Sequence, residues 1–142
     1  MLLRFFMQLE LDSNNHSVFS LNYHLILCVK YRKKVFTKNM FIRLREIAEY
    51  IGENNNIFIK EMNGEPDHVH FLIRTKPNCD LSKYVNALKS ASSRLLKKEF
   101  PEVKKKLWKD AFWSGSYCLI SVGGAPLSIL KQYIESQSGV DT

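Results

Sequence analysis

Apolar spacing along this chain changes period several times, and the order of the changes leaves few folds open. From Ser17 to Tyr31 apolar side chains alternate or run together (Val18, Phe19, Leu21, Tyr23, Leu25, Ile26, Leu27, Val29), which predicts a long central strand. A basic turn follows, Arg32-Lys33-Lys34. From Lys38 to Glu53 the spacing is helical (Met40, Phe41, Leu44, Ile47, Ala48, Ile51), and Thr37 stands where it can cap the first turn. Asn56 to Met62 and Asp67 to Ile73 predict two more strands, joined by the turn residues Asn63-Gly64-Glu65-Pro66. Asp80 can cap a second helix with the stripe Leu81, Tyr84, Val85, Leu88, Leu95 and Leu96, which Pro101 ends or kinks. Phe112 to Val122 predicts a last strand, interrupted at Ser114-Gly115. Gly123-Gly124 then makes a flexible joint, and Pro126 suits the first turn of a final helix from Leu127 to about Ser138.

The resulting order is β-α-β-β-α-β-α. Its first six elements match an α+β, ferredoxin-like (RRM-like) split βαβ fold: a four-stranded antiparallel sheet with two helices on one face. The seventh element is an additional C-terminal helix. The second sheet face is left free for a substrate. At 142 residues the chain fits one domain with a real core, read as residues 16–142 behind an N-terminal extension of residues 1–15. Met1 to Phe6 is apolar, but Gln8, Glu10 and Asp12 follow too soon for a signal peptide or membrane span. Met7 is an alternative start, and cytoplasmic residence is the expectation. Three cysteines, Cys28, Cys79 and Cys118, without CxxC spacing argue against a disulfide scaffold and a zinc–thiolate site.

The net charge of +7 suggests an anionic partner, nucleic acid or an anionic membrane surface. It is concentrated: nine basic residues lie between Lys83 and Lys109 against only Glu99 and Glu102, a surplus equal to that of the whole chain. A solvated helix face would carry such a run as well.

His68-Val69-His70 lies inside an apolar strand run, Phe71-Leu72-Ile73, with Pro66 just before it. In a strand, residues two apart share a face and stand roughly 7 Å apart, so two imidazoles could grip one metal ion. Two imidazoles are too few for zinc or an octahedral ion, and an exposed histidine pair would satisfy the spacing alone. The last helix offers more. Tyr133 and Gln137 are four apart, about 40° around the helix axis, at the edge of the stripe Leu127, Leu130 and Ile134. A tyrosine hydroxyl can attack phosphorus where a metal polarises the phosphate, and a glutamine oxygen can complete a hard-cation shell. Packing with a satisfied hydroxyl is the ordinary use of a tyrosine, and with six in the chain position alone does not select Tyr133. His24 reads as a packed, hydrogen-bonded strand residue, with an active-site role open; His16 carries no argument.

Together these stretches resemble the single-tyrosine HUH transposases of small bacterial and archaeal insertion sequences, the superfamily that includes the REP-associated tyrosine transposases. The resemblance rests on Tyr23-His24-Leu25-Ile26, Lys30 to Phe36, Pro66 to Ile73, Leu107-Trp108 with Phe112 to Tyr117, and Tyr133-Ile134-Glu135-Ser136-Gln137. Only the segment before His16 has no counterpart. The resemblance implies Tyr133 as nucleophile, His68, His70 and Gln137 as ligands of Mg²⁺ or Mn²⁺, and a 5′-phosphotyrosine intermediate on single-stranded DNA. It also implies recognition of DNA hairpins and a homodimer in which one subunit's tyrosine helix can complete the other's metal site. Arg32, Lys33, Lys34, Lys83, Lys89, Arg94, Lys97 and Lys98 are then the candidate phosphate contacts, which position DNA without reading it. Two rivals stay open: a domesticated relative that processes repeated chromosomal hairpins, and a non-catalytic single-stranded nucleic-acid binder. The second explains the charge but gives His68, His70, Tyr133 and Gln137 no work.

Overall fold

A computed structural model describes residues 11–14, 16–123 and 127–137, with backbone alone for Leu127 and Ser128. Its elements are β1 (Asp12–Ser13), β2 (Val18–Phe19), β3 (Leu21–Cys28), α1 (Lys38–Glu53), β4 (Ile57–Glu65), β5 (His68–Thr75), α2 (Leu81–Glu99), β6 (Cys118–Ser121) and α3 (Leu127–Ser136). The main sheet has the order β4-β5-β3-β6, with antiparallel pairing throughout. This is the expected α+β ferredoxin-like arrangement with an added C-terminal helix.

Period two sorts the strands into two faces. Leu25, Leu27 and Val29 on one side of the central strand meet Val69, Phe71 and Ile73, and all are buried beneath the two long helices. The helices turn the stripes expected of them toward this layer: Met40, Leu44, Ile47 and Ala48 from α1, and Tyr84, Val85, Leu88 and Leu96 from α2. Both anticipated caps form. Thr37 Oγ1 accepts from the Met40 amide at 3.3 Å, and Asp80 Oδ1 accepts from the Lys83 amide at 3.0 Å. Tyr84 donates its hydroxyl to the Ala48 carbonyl at 2.9 Å, tying α2 to α1 inside the core.

The structure departs from these expectations in several places. The strand expected over Ser17–Tyr31 is divided at Ser20 and ends at Cys28. Beyond it the Val29 amide bonds to Asp67 O and the Lys30 amide to Phe112 O, so the backbone leaves the ladder without losing its partners. The strand expected over Phe112–Val122 shrinks to Cys118–Ser121. Phe112 and Trp113 are both buried, 2% and 8% exposed, and adjacent residues of a regular strand cannot both face one core. Trp113 instead pairs with Val29 as an isolated bridge and donates its indole N–H to Ser92 Oγ at 2.9 Å. Within the anticipated N-terminal extension, Asp12 and Ser13 pair with Phe19 and Val18, and Asp12 forms an ion pair with Arg74; residues 1–10 and 15, Met7 included, lie outside the described residues. So do Gly124, Pro126 and the expected last helical residue, Ser138.

Glu65 is still in β4, so the turn expected over Asn63–Pro66 narrows to Pro66-Asp67, and Gly64 belongs to the ladder opposite Val69. A Cβ at Gly64 would lie 2.4 Å from His68 O. Gly64→Ala should therefore push the two arms apart at His68 and cost about 1–3 kcal/mol as overpacking. The check is urea unfolding, where the midpoint should fall; an unchanged midpoint would show that the hairpin absorbs the methyl group.

Candidate active site

The open face of the sheet carries His68 and His70 from β5 and His24, Ile26 and Cys28 from β3. The β3–β5 register sets Cys28 opposite His68, Ile26 opposite His70 and His24 opposite Leu72. His24 is thus diagonal to His70, within reach of a ring. Its Nδ1 lies 2.8 Å from His70 Nε2, and the rings stack with centroids 4.9 Å apart. One nitrogen of this contact must donate and the other accept, so both rings cannot be fully protonated there. Burial, and then the neighbouring His24, hold the His70 pKa below its ordinary value, which favours the neutral, ligand-competent imidazole.

His68 is set by a different device. Its Nδ1 lies 2.8 Å from Asp67 Oδ1, and Asp67 is 6% exposed. A carboxylate only accepts, so Nδ1 carries the proton and the lone pair of Nε2 remains for a ligand. The Arg32 guanidinium meets the other carboxylate oxygen, Oδ2, at 3.0–3.1 Å. Arg32 therefore compensates the Asp67 charge while His68 satisfies its other oxygen. Arg32, counted among the candidate phosphate contacts, has its guanidinium on Asp67. Glu65 completes a group with Asp67 and His68 whose ligand atoms all lie within 4.8 Å of one another.

The last helix lies over the same face. Leu130 is buried with Ile26 and Cys28, and Tyr133 and Ile134 pack against them. Ile26 and Cys28 are the register partners of His70 and His68, so the cluster on which Tyr133 packs reaches the strand beside the histidines. Tyr133 Oη is 2.8 Å from Ser116 Oγ. Gln137 Oε1 accepts from Ser114 Oγ at 2.8 Å and from Ser116 Oγ at 3.3 Å. Gln137 lies one residue past the end of α3, and the Ser114–Ser116 segment bonds both it and Tyr133.

Sequence reasoning left Asp67, Ser114 and Ser116 without roles. Asp67 had a visible signal, an acid directly before the His-x-His pair. The serines lay in a stretch that carried the resemblance, Phe112 to Tyr117, but only the tertiary fold brings residue 116 to residue 133. Among the other candidate DNA contacts, Lys33, Lys34, Lys83, Arg94 and Lys98 are exposed. Lys89 donates to Ser114 O at 2.8 Å and Lys97 to Asp110 O at 3.1 Å. Arg94, Lys97 and Lys98 line a shallow groove of about 480 Å³ with Ser90, Ser93 and Lys104.

Comparison with known proteins gives the family of the chain. Residues 17–137 match the family described as transposase IS200 like. The chain belongs to the IS200-like transposase family. It is 37% identical over 129 residues to the ISDra2 transposase TnpA of Deinococcus radiodurans, covering 91% of this chain and 92% of that one. It is 29% identical over 122 residues to the transposase for insertion sequence element IS200 of Salmonella typhimurium, covering 86% and 80%. A crystal structure from Deinococcus radiodurans R1, of a protein assigned as a transposase, superposes with a TM-score of 0.81 at 32% identity, over 91% of this chain and 99% of that one. A REP-associated tyrosine transposase solved with a REP hairpin has a TM-score of 0.56 at 10% identity, over 87% and 68%, a likeness of fold. The family expected from the motifs is the family found, and the protein is a transposase. Among the described residues no helix is long and apolar enough to cross a membrane.

Two outcomes follow from the histidine geometry. Asp67→Asn keeps the size but removes the charge that orients His68. Mn²⁺ affinity of the DNA-free protein should fall roughly 10–100-fold, as measured by calorimetry; unchanged affinity would remove Asp67 from the site. For His70, the folded pKa is depressed below 6.5, so between that pKa and 6.5 the unfolded chain binds more protons. Its contribution is unimpaired above pH 6.5 and is lost as pH falls through the folded pKa. Urea melts from pH 7 downward should show stability declining, with a shallower decline in His70→Gln; equal slopes would contradict the assignment.

Proposed function

We propose that this transposase cuts and rejoins single-stranded DNA at the ends of a mobile element through a 5′-phosphotyrosine on Tyr133. In this reading His68, His70 and Gln137 hold a divalent metal, Mg²⁺ or Mn²⁺, the basic face of α2 takes DNA hairpins, and the protein works as a homodimer. The observation that supports it furthest is the packing of Tyr133 against the cluster of Ile26, Cys28 and Leu130, two of whose members are the strand partners of the histidines.

The donor set suits such an ion. His68 offers Nε2, His70 is held toward its neutral form, and Gln137 and Glu65 can add oxygen donors. Gln137 Oε1 must exchange its serine hydroxyl partners to serve as a ligand. When bound, the metal polarises a phosphoryl oxygen and stabilises the charge developing on it. Tyr133 Oη forms a bond to phosphorus while the bond from phosphorus to the 3′ oxygen breaks. The phenol loses one proton and the leaving oxygen gains one, giving a phosphotyrosine and a free 3′-hydroxyl. Ser116 orients the phenolic group before attack. A 3′-hydroxyl that attacks the same phosphorus runs the step backwards and rejoins strands, so no nucleotide is consumed. The exposed cations of α2 supply a salt-sensitive phosphate track, and the hairpin carried by the REP-associated neighbour is the precedent for that ligand.

The test incubates the protein with hairpin-bearing single-stranded DNA and Mg²⁺ or Mn²⁺. A covalent protein–DNA band should form with the wild type and vanish in Tyr133→Phe. A band that persists in Tyr133→Phe removes Tyr133 as nucleophile. Mixing Tyr133→Phe with His68→Ala should restore the band where subunits share sites; failure to restore it places each tyrosine with its own histidines.

A further inference from the structure

Four of the five described non-glycine residues with positive φ fall in two pairs, Tyr31-Arg32 (φ 55° and 51°) and Lys109-Asp110 (φ 49° and 65°). Bulky residues adopt this left-handed region at a cost and keep it only where the surroundings hold them there. Here the pairs shape two neighbouring turns. Lys109 and Asp110 form the centre of a tight turn that Trp108 and Ala111 close as an isolated bridge. That turn leads into Phe112, whose carbonyl accepts from the Lys30 amide, and Trp113, which pairs with Val29.

The turns bring two aromatic rings together. Trp108 is 43% exposed, although tryptophan normally buries its large apolar area. Tyr31 meets its ring edge-on at 5.4 Å. Lys109 Nζ lies 4.7 Å from the Trp108 ring centre and Lys30 Nζ 5.7 Å. Lys30 is also 5.8 Å from the Tyr31 ring. An exposed indole flanked by two ammonium groups offers a flat π surface and two sites for anions, the two parts of a nucleotide. Its position is also informative. The next residue after Tyr31 is Arg32, whose guanidinium holds Asp67, which in turn orients His68.

We propose that Trp108, braced edge-on by Tyr31, forms a stacking platform for one unpaired base of the DNA strand that runs to the cleavage centre, with Lys30 and Lys109 taking the flanking phosphates. The inference rests on the single-stranded DNA reading given above. The base covers the indole as a lysine leaves its cation–π position for a phosphate. Stacking accepts any base, so the platform sets where the strand lies and leaves its sequence unread.

The test uses the full chain and a DNA hairpin, either blunt or with a single-stranded tail carrying 2-aminopurine at each position in turn. Wild-type binding should quench emission at one tail position. Trp108→Ala should abolish that quenching and weaken tailed-hairpin binding roughly tenfold or more, leaving blunt-hairpin affinity unchanged. Trp108→Phe should recover most of both. Quenching and tailed affinity that survive in Trp108→Ala overturn the proposal and assign the patch to another partner. Equal weakening of tailed and blunt hairpins overturns it too, in favour of hairpin docking or structure. If wild-type protein binds neither DNA, the single-stranded DNA reading itself fails and takes this inference with it. A covalent Tyr133 adduct with no quenching at any tail position sinks the platform alone.

Discussion

The pairing of β3 with β5 is the constraint on which the site depends. Antiparallel strands have a side-chain period of two, so one register assigns every residue of both strands to a face, and a one-residue slip would reverse all of them. The observed register buries Leu25, Leu27, Val69 and Phe71 under the helices while His24, His68 and His70 stay on the other face. A slip of β5 by one residue would bring the histidines into the apolar layer and send Val69 and Phe71 out. Burial of an unpaired polar ring costs on the order of 1–3 kcal/mol and each exposed large apolar side chain about as much again. The core thus fixes the position of the imidazoles, although none of them belongs to it.

Asp67 extends this constraint beyond the sheet. Its carbonyl accepts from the Val29 amide, and its carboxylate joins Arg32 to His68. The preceding carbonyl, of Pro66, accepts from both the Val35 and Phe36 amides. The β4–β5 turn is therefore bonded to the segment that follows β3 at several points. Small displacements of that segment would reach His68 through one buried carboxylate. This explains how left-handed Tyr31 and Arg32 can be sustained: neighbouring bonds over-determine their backbone.

What the sequence made legible divides along physical lines. The two long helices were readable because Thr37 and Asp80 are local caps and the stripes of Met40–Ala48 and Leu81–Leu96 repeat within their own segments. The sheet order followed from the sequence of elements. The ends of β3 and β6 were not readable, because they are set by partners far along the chain: Phe112 O for Lys30, and Val29 for Trp113. The same distinction holds in the site. His68 and His70 stand two apart, and Tyr133 and Gln137 four apart, so local periodicity groups each pair. His24 joins His70 only through strand register, and Ser116 meets Tyr133 only through the docking of α3. The ambiguity left over His24 was thus a matter of tertiary geometry, and the structure shows a hydrogen-bonded strand histidine in contact with His70.

The two halves of the site are held with different strength, and the difference bears on how it would work. The histidines stand on adjacent central strands whose opposite face is the main core. The tyrosine helix is held among described residues by a small cluster at Ile26, Cys28 and Leu130 and by serine hydroxyls. A hydrogen bond of that kind contributes about 0.5–1.5 kcal/mol net, and water or DNA oxygens can replace it. Gly123, the last described residue before the helix, has φ +88°, which glycine adopts without steric cost. Under the proposed function, rigid candidate ligands and a lightly held tyrosine suit a reaction that presents Tyr133 to one phosphate, retains the product covalently, and later admits a different 3′-hydroxyl to the same phosphorus.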